Sequence, residues 1–183
     1  MNRKYIIMIL LFALSQYKGI SQTNTSVSVI AGYSDNGIAT LTNFQVYFEQ
    51  TFNNYFEIGI YTGFLKETQS GFNIPLNIYS INAGYHFRVD QMSARTNAIV
   101  TTLGFGGVIG DETINKGNKA LPNGMEIESR DGLIYGAYGA LETDIYLSDN
   151  WSLLGRYTHF YHTNSDIGKS KFMVGIGIKY IFI

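Results

Sequence analysis

Apolar and polar residues alternate along most of this chain with a period of two, the period of a β-strand whose faces meet different surroundings. In the last stretch, Lys171 to Ile183, one parity carries Phe172, Val174, Ile176, Ile178, Tyr180 and Phe182, and the other carries Gly175, Gly177 and Lys179. The same rhythm recurs upstream. Val27, Val29, Ala31 and Tyr33 alternate with Ser26, Ser28 and Gly32, and Phe44, Val46 and Phe48 with Asn43, Gln45, Tyr47 and Glu49. Phe56 to Phe64 and Ile74 to Arg88 predict a third and a fourth strand, with Pro75 at the start of the fourth because it cannot donate to a ladder. Ile99 to Gly106, Leu133 to Leu147 and Trp151 to Tyr161 predict three more. Turn residues punctuate them: Ser34-Asp-Asn-Gly37, Asn53-Asn54 and Ser148-Asp-Asn150. Polar loops are expected over Lys66 to Gly71, Val89 to Asn97, Asp111 to Asp131 and His162 to Ser170.

About eight strands of this kind predict an all-β fold, a small antiparallel up-and-down transmembrane β-barrel. An aromatic terminal strand left as a free edge would invite aggregation, and closure removes the edge. The competing arrangement is a soluble lipocalin-like barrel, with the apolar parity inside. The chain ends on Gly177-x-x-Tyr180-x-Phe182, which resembles the C-terminal signal that outer-membrane barrels present to their insertion machinery; Gly175 stands where that signal has a polar residue. Gly177, Tyr180 and Phe182 are therefore a candidate membrane-insertion signal.

Composition narrows the class. Charged residues are 15% and aromatic residues 15% of the 183 residues, and no stretch beyond the N-terminus has the ~20 apolar residues of a spanning helix. Arg3 and Lys4 precede an apolar run from Tyr5 to Leu14, and Gly19 and Ser21 offer small residues before Gln22. This predicts a cleaved signal peptide over 1–21 and a barrel over 22–183, in the outer membrane of a Gram-negative-type envelope. Arg3, Lys4 and Lys18 would leave with the signal, so ten basic residues would face 14 acidic ones, a net charge of −4. That balance gives no reason to expect direct nucleic-acid binding.

The turn at Ser148 to Asn150 sets the register of the strands around it. A three-residue loop there places Glu142 opposite Arg156, and a shift by two in the pairing places Asp144 there instead. Both arrangements put a carboxylate across from the guanidinium on the face away from lipid. Glu142, Asp144 and Arg156, with Glu57 and Lys179 as neighbours, are thus predicted to form a charge network inside the barrel.

Candidate chemistry is sparse. The chain has no cysteine and three histidines, His86, His159 and His162. His159 and His162 are three apart on one strand and point to opposite faces, so no metal site is expected. No cofactor is expected either: Gly104, Gly106 and Gly107 are not followed by a helix in a βαβ unit, and small inward residues in a narrow barrel account for them. The enzyme alternative is a lipid A deacylase-like barrel using His162 and Ser165 with Asp166 nearby. A third reading is a generic small outer-membrane barrel with a binding role.

Several segments resemble the conjugative-transposon TraO family: Glu112-Thr-Ile-Asn-Lys-Gly117, Leu121-Pro-Asn-Gly124, Asp131-Gly-Leu-Ile-Tyr-Gly136, Leu141-Glu142 with Tyr146-Leu-Ser-Asp149, and Gly175-Ile-Gly-Ile-Lys-Tyr180. Ile74-Pro-Leu76 with Gly84-Tyr85 is similar to the family's middle strand. The resemblance implies a non-catalytic envelope component of a conjugation apparatus carried on a mobile element, acting with other transfer proteins. It is dense in the Asp111–Asp131 segment, and long loops on rigid barrels carry binding functions. Glu112, Asn115, Lys116, Pro122 and Asn123 are therefore expected in a partner-binding loop.

Overall fold

The alternation closes into a ring. The computed structural model describes residues 24–48, 54–69, 72–89, 98–118, 126, 132–165 and 168–182. Eight strands follow in order: β1 (Thr25–Ser34), β2 (Gly37–Tyr47), β3 (Asn54–Gln69), β4 (Phe72–Arg88), β5 (Ile99–Ile114), β6 (Gly132–Tyr146), β7 (Trp151–His162) and β8 (Ser170–Phe182). Each pairs antiparallel with the next, and β8 returns to β1 with Thr25 opposite Phe182 and Tyr33 opposite Val174. Both described termini therefore lie at one end of the barrel, and the β1–β2 turn lies at the other.

The sign of the wall excludes the lipocalin-like arrangement. Val29, Phe44, Ile58, Ile81, Phe105, Leu141, Leu153 and Ile178 all face outward and are exposed. The opposite parity holds Ser26, Ser28, Asn43, Gln45, Glu57, Asn82, Thr102, Glu142, Arg156 and Lys179, all buried. Apolar residues outside and polar ones inside suit a wall bathed in hydrocarbon, where the closed ladder satisfies every strand's backbone groups. Trp151, Tyr180 and Phe182 cluster on the outer face at the terminal end, with Trp151–Tyr180 and Tyr180–Phe182 ring centroids 4.8 and 4.9 Å apart. Amphipathic rings favour the boundary between hydrocarbon and water.

The β1–β2 connection is a two-residue hairpin with Asp35 and Asn36 at φ 32° and 58°. Positive φ at both central positions matches the twist of a strand pair and suits Asx residues. Gly37 follows because a Cβ there would meet the Phe64 carbonyl oxygen at 2.0 Å. Asp35 Oδ2 accepts a hydrogen bond from the Phe172 amide at 3.1 Å, and the Ser34 hydroxyl donates to the Phe172 carbonyl, so this turn fastens the β1–β8 seam.

Three expectations need correction. Lys66 to Gly71 is not a long loop: β3 and β4 stay paired to Gln69 opposite Phe72, leaving residues 70–71 between them. Asp111 to Ile114 belongs to β5, paired with Tyr79 to Leu76. The connection then starts with a 3₁₀ turn at Asn115–Gly117, where Asn115, Lys116 and Gly117 all have positive φ. The physical reason is common to both segments. A strand that continues past the lipid boundary keeps its ladder while its side chains turn polar, so composition marks where lipid ends and not where pairing ends. Glu112, expected in an exposed partner-binding loop, is accordingly an inward strand residue and is buried. Pro75 pairs with Lys66 on the β3 side and precedes the first β4–β5 pair, Leu76 with Ile114, so its missing N–H costs that ladder nothing.

The interior has two storeys. The half nearer the β1–β2 turn is apolar, filled by Leu41, Leu65, Ile74, Leu76, Ile78, Ile114, Ile134, Phe160 and Met173, all buried. The half nearer the termini is polar and charged.

Candidate functional site

The polar storey is organised by Arg156. The three-residue turn at 148–150 sets Glu142 opposite Arg156 across β6 and β7. Arg156 points inward because β7 alternates strictly, from an exposed Trp151 to a buried His162. Its Nη1 donates to Glu57 Oε2 at 2.7 Å and to Glu142 Oε2 at 3.1 Å, and its Nη2 donates to Glu57 Oε1 at 2.8 Å. The Glu57 pair is the two-pronged guanidinium–carboxylate geometry, the strongest that arginine makes. Arg156 Nε donates to Thr158 Oγ1 at 3.0 Å.

Lys179 bridges the other two carboxylates. Its Nζ lies 2.7 Å from Glu142 Oε1 and 2.7 Å from Asp144 Oδ2, and 5.5 Å from the centre of the Tyr55 ring. Neutral donors add to the same carboxylates. Gln45 Nε2 donates to Glu57 at 3.0 Å, the Tyr55 hydroxyl to Glu142 Oε1 at 3.0 Å, and the Ser152 hydroxyl to Asp144 Oδ1 at 2.9 Å. His86 stacks on Tyr55 with ring centroids 4.6 Å apart, and its Nε2 lies 3.4 Å from Glu57 Oε1. Glu57, Glu142, Asp144, Arg156 and Lys179 thus meet in one network, and none is more than 4% exposed. Charges taken this far from water are tolerated only where partners and donors saturate them. The network also fills the bore: ionic groups from β3, β6, β7 and β8 meet in the middle.

A smaller polar group lies within the apolar half, where Glu112 is level with Ile78 and Lys171 with Phe160. Ser165 Oγ donates to Glu112 Oε2 at 2.8 Å, with Lys171 and His162 buried alongside. Sequence reasoning did not join Glu112 to Ser165, which are 53 residues apart. The His162–Ser165 arrangement of the enzyme alternative is not formed: among the described residues neither ring nitrogen of His162 has a hydrogen-bond partner, and its ring stacks on Phe160. Asp166, its third member, lies outside the described residues, as do Pro122, Asn123 and the expected signal segment 1–21. Of the expected partner-loop residues, Lys116 is exposed and Asn115 half-buried in the 3₁₀ turn, where Asn115 Nδ2 donates to the Asn118 carbonyl. Gly177, Tyr180 and Phe182 lie in the C-terminal half of β8, where Asn150 holds the strand end through Ile181 N and O at 2.8 and 3.0 Å. No group of three or more His, Asp or Glu side chains that could hold a metal occurs among the described residues.

The family model for conjugative transposon protein TraO matches residues 14–182. The chain belongs to the TraO family. No curated protein matches it. Among solved structures, this TraO-family chain is similar to Neisserial surface protein A, at 13% identity and a TM-score of 0.59 over 90% of this chain and 100% of that one. It is similar to the attachment invasion locus protein Ail of Yersinia pestis, at 11% identity and a TM-score of 0.56 over 88% and 100% of the two chains. A major outer membrane protein from Thermus thermophilus matches at 10% identity and a TM-score of 0.59 over 88% and 100%. At such identities these likenesses speak for the fold, a closed eight-stranded outer-membrane barrel, and not for a shared activity.

Proposed function

We propose that this chain is an outer-membrane component of the conjugative transfer apparatus of a mobile element, with a structural and assembly role and no catalysis. The family match over 14–182 carries the reading. In this reading a signal peptide over 1–21 directs export, and Gly177, Tyr180 and Phe182 present the insertion signal. The termini and the 148–150 turn face the periplasm, and the β1–β2, β3–β4, β5–β6 and β7–β8 connections face outward. The interior supports a scaffold over a conduit. Phe160, Leu76 and their neighbours close one half, and the Arg156 network closes the other, so DNA has no path through the wall of one copy. Lipid deacylation finds no support in the geometry of His162 and Ser165.

Clean deletion of the gene is expected to cut conjugative transfer sharply, with recovery from a plasmid-borne copy; unchanged transfer would refute the reading. The partners we assign are other envelope proteins of the transfer apparatus, met at the β5–β6 connection. Because Glu112 belongs to the barrel, the segment to test begins after the 3₁₀ turn. Replacing residues 118–131 by a short Gly/Ser linker is expected to leave the heat-modifiable, folded barrel band intact while lowering transfer. Full transfer by that variant would remove the connection from the partner surface.

A further inference from the structure

We propose that Lys179 and Asp144 join through an isopeptide bond, formed once and within the chain, with Glu142 as the group that carries the proton. The three side chains meet inside the barrel near its terminal end. Glu142 and Asp144 come from β6 and Lys179 from β8, two strands that β7 separates. Lys179 Nζ lies 2.7 Å from Asp144 Oδ2 and 2.7 Å from Glu142 Oε1. Amine, acyl group and base are therefore in contact before any step occurs. Such holding replaces the entropy that two separate reactants must lose.

The two carboxylates have different surroundings, and these assign their parts. Glu142 also accepts from Arg156 Nη1 at 3.1 Å and from the Tyr55 hydroxyl at 3.0 Å. Among the described residues Asp144 has Lys179 as its one cation, and the Ser152 hydroxyl donates to its other oxygen, Oδ1, at 2.9 Å. That hydroxyl stands where negative charge develops when an amine adds to Asp144 Cγ. Glu142 stands where the attacking nitrogen sheds a proton. Asp144 is thus the acyl group and Glu142 the base. Lys179, Glu142, Asp144 and Ser152 are all buried, as are Tyr47 and Tyr55 beside them. Without water, opposite charges are costly to hold and a neutral amide is not, and nothing is at hand to hydrolyse it.

The step balances. Nζ starts with three protons and passes one to Asp144 Oδ2, which makes a neutral amine and a neutral acid. The amine attacks Asp144 Cγ with its lone pair, and Glu142 Oε1 takes a second proton as the C–N bond forms. Glu142 hands that proton to Oδ2, the Cγ–Oδ2 bond breaks with its electron pair going to oxygen, and one water leaves. Nζ keeps the third proton as the amide N–H, and nothing is oxidised or reduced. The product ties β8 to β6 across β7, between residues 35 apart in the chain.

Trypsin cuts after Lys and Arg, so an unlinked chain gives the separate peptides 131–156 and 172–179. Full-length protein taken from cell envelopes is expected to give instead one branched species, 131–156 joined to 172–183, lighter than the two together by one water. Protein held unfolded in urea is expected to be unlinked and to acquire the branch on refolding into lipid vesicles, with no other protein present. Lys179→Arg is expected to yield only separate peptides. Glu142→Gln, followed in the folded band, is expected to slow the appearance of the branch about a hundredfold. Free 172–179 as the main product of the folded wild-type chain, in envelopes and after refolding, would overturn the bond. A branch that forms at the wild-type rate in Glu142→Gln would overturn the part given to Glu142.

Discussion

Arg156→Ala is expected to destabilise the folded barrel by about 3–5 kcal/mol, the largest single-residue loss in the polar storey. The reason is what the substitution leaves behind. Glu57 loses both prongs of its guanidinium, and Glu142 loses one of its two cations, while both carboxylates remain buried. Gln45 and His86 stay near Glu57, but a neutral amide cannot replace a cation at 2.7 Å. Urea titration of protein refolded into lipid vesicles, followed by tryptophan fluorescence of Trp151, measures the loss. A double-mutant cycle isolates the pair. Removing the carboxylate as well, by Glu57→Gln in the Arg156→Ala background, is expected to recover part of the stability, because the stranded charge is the main cost. A loss within about 0.5 kcal/mol for Arg156→Ala would show the network to be wet and weakly coupled. Lys179 plays the corresponding part for Glu142 and Asp144.

Phe160→Ala is the second large effect, about 3–5 kcal/mol, from the apolar storey. Phe160 is fully buried and packs against Tyr61 and Tyr138 with ring centroids 4.8 and 6.1 Å apart. Barrel strands hydrogen-bonded on both sides cannot move in to refill the space, so the cavity term is kept in full. The same substitution tests the closed bore. Breaching one storey leaves the other in place, so Phe160→Ala in a planar bilayer is expected to show no conductance above the bare membrane. Steady channel openings from this variant would mean that the Arg156 network does not seal the barrel. A stability change below about 1 kcal/mol would mean that the apolar storey is loosely packed.

The eight strands were legible from alternation alone, and so was which side chains share a face, whereas which face is inward was decided by the closed structure. The Ser148–Asn150 turn narrowed the residue opposite Arg156 to Glu142 or Asp144, and the structure has Glu142 there. The apolar storey was not read. Ile74, Leu76 and Ile78 share the inward parity of Ser80, Asn82 and His86, and its signal in the sequence was that the apolar parity of the strand switches between Ile78 and Tyr79. Strand ends were misread at Lys66 and Asp111 because polarity reports the lipid boundary, and backbone pairing runs past it.

What only the tertiary structure decided is the partner that matters most to Arg156. Sequence alone set an inward guanidinium facing Glu142 or Asp144 on the adjacent strand, with Glu57 named only as a neighbour. Its two-pronged bond goes instead to Glu57, 99 residues away on β3, four strands round the ring and so on the opposite wall. Local pairing reaches only adjacent strands. Contact across the bore depends on the barrel's diameter and stagger, which are properties of the closed ring and of no single segment. The joining of Ser165 to Glu112 arises in the same way, from closure that brings remote strands together.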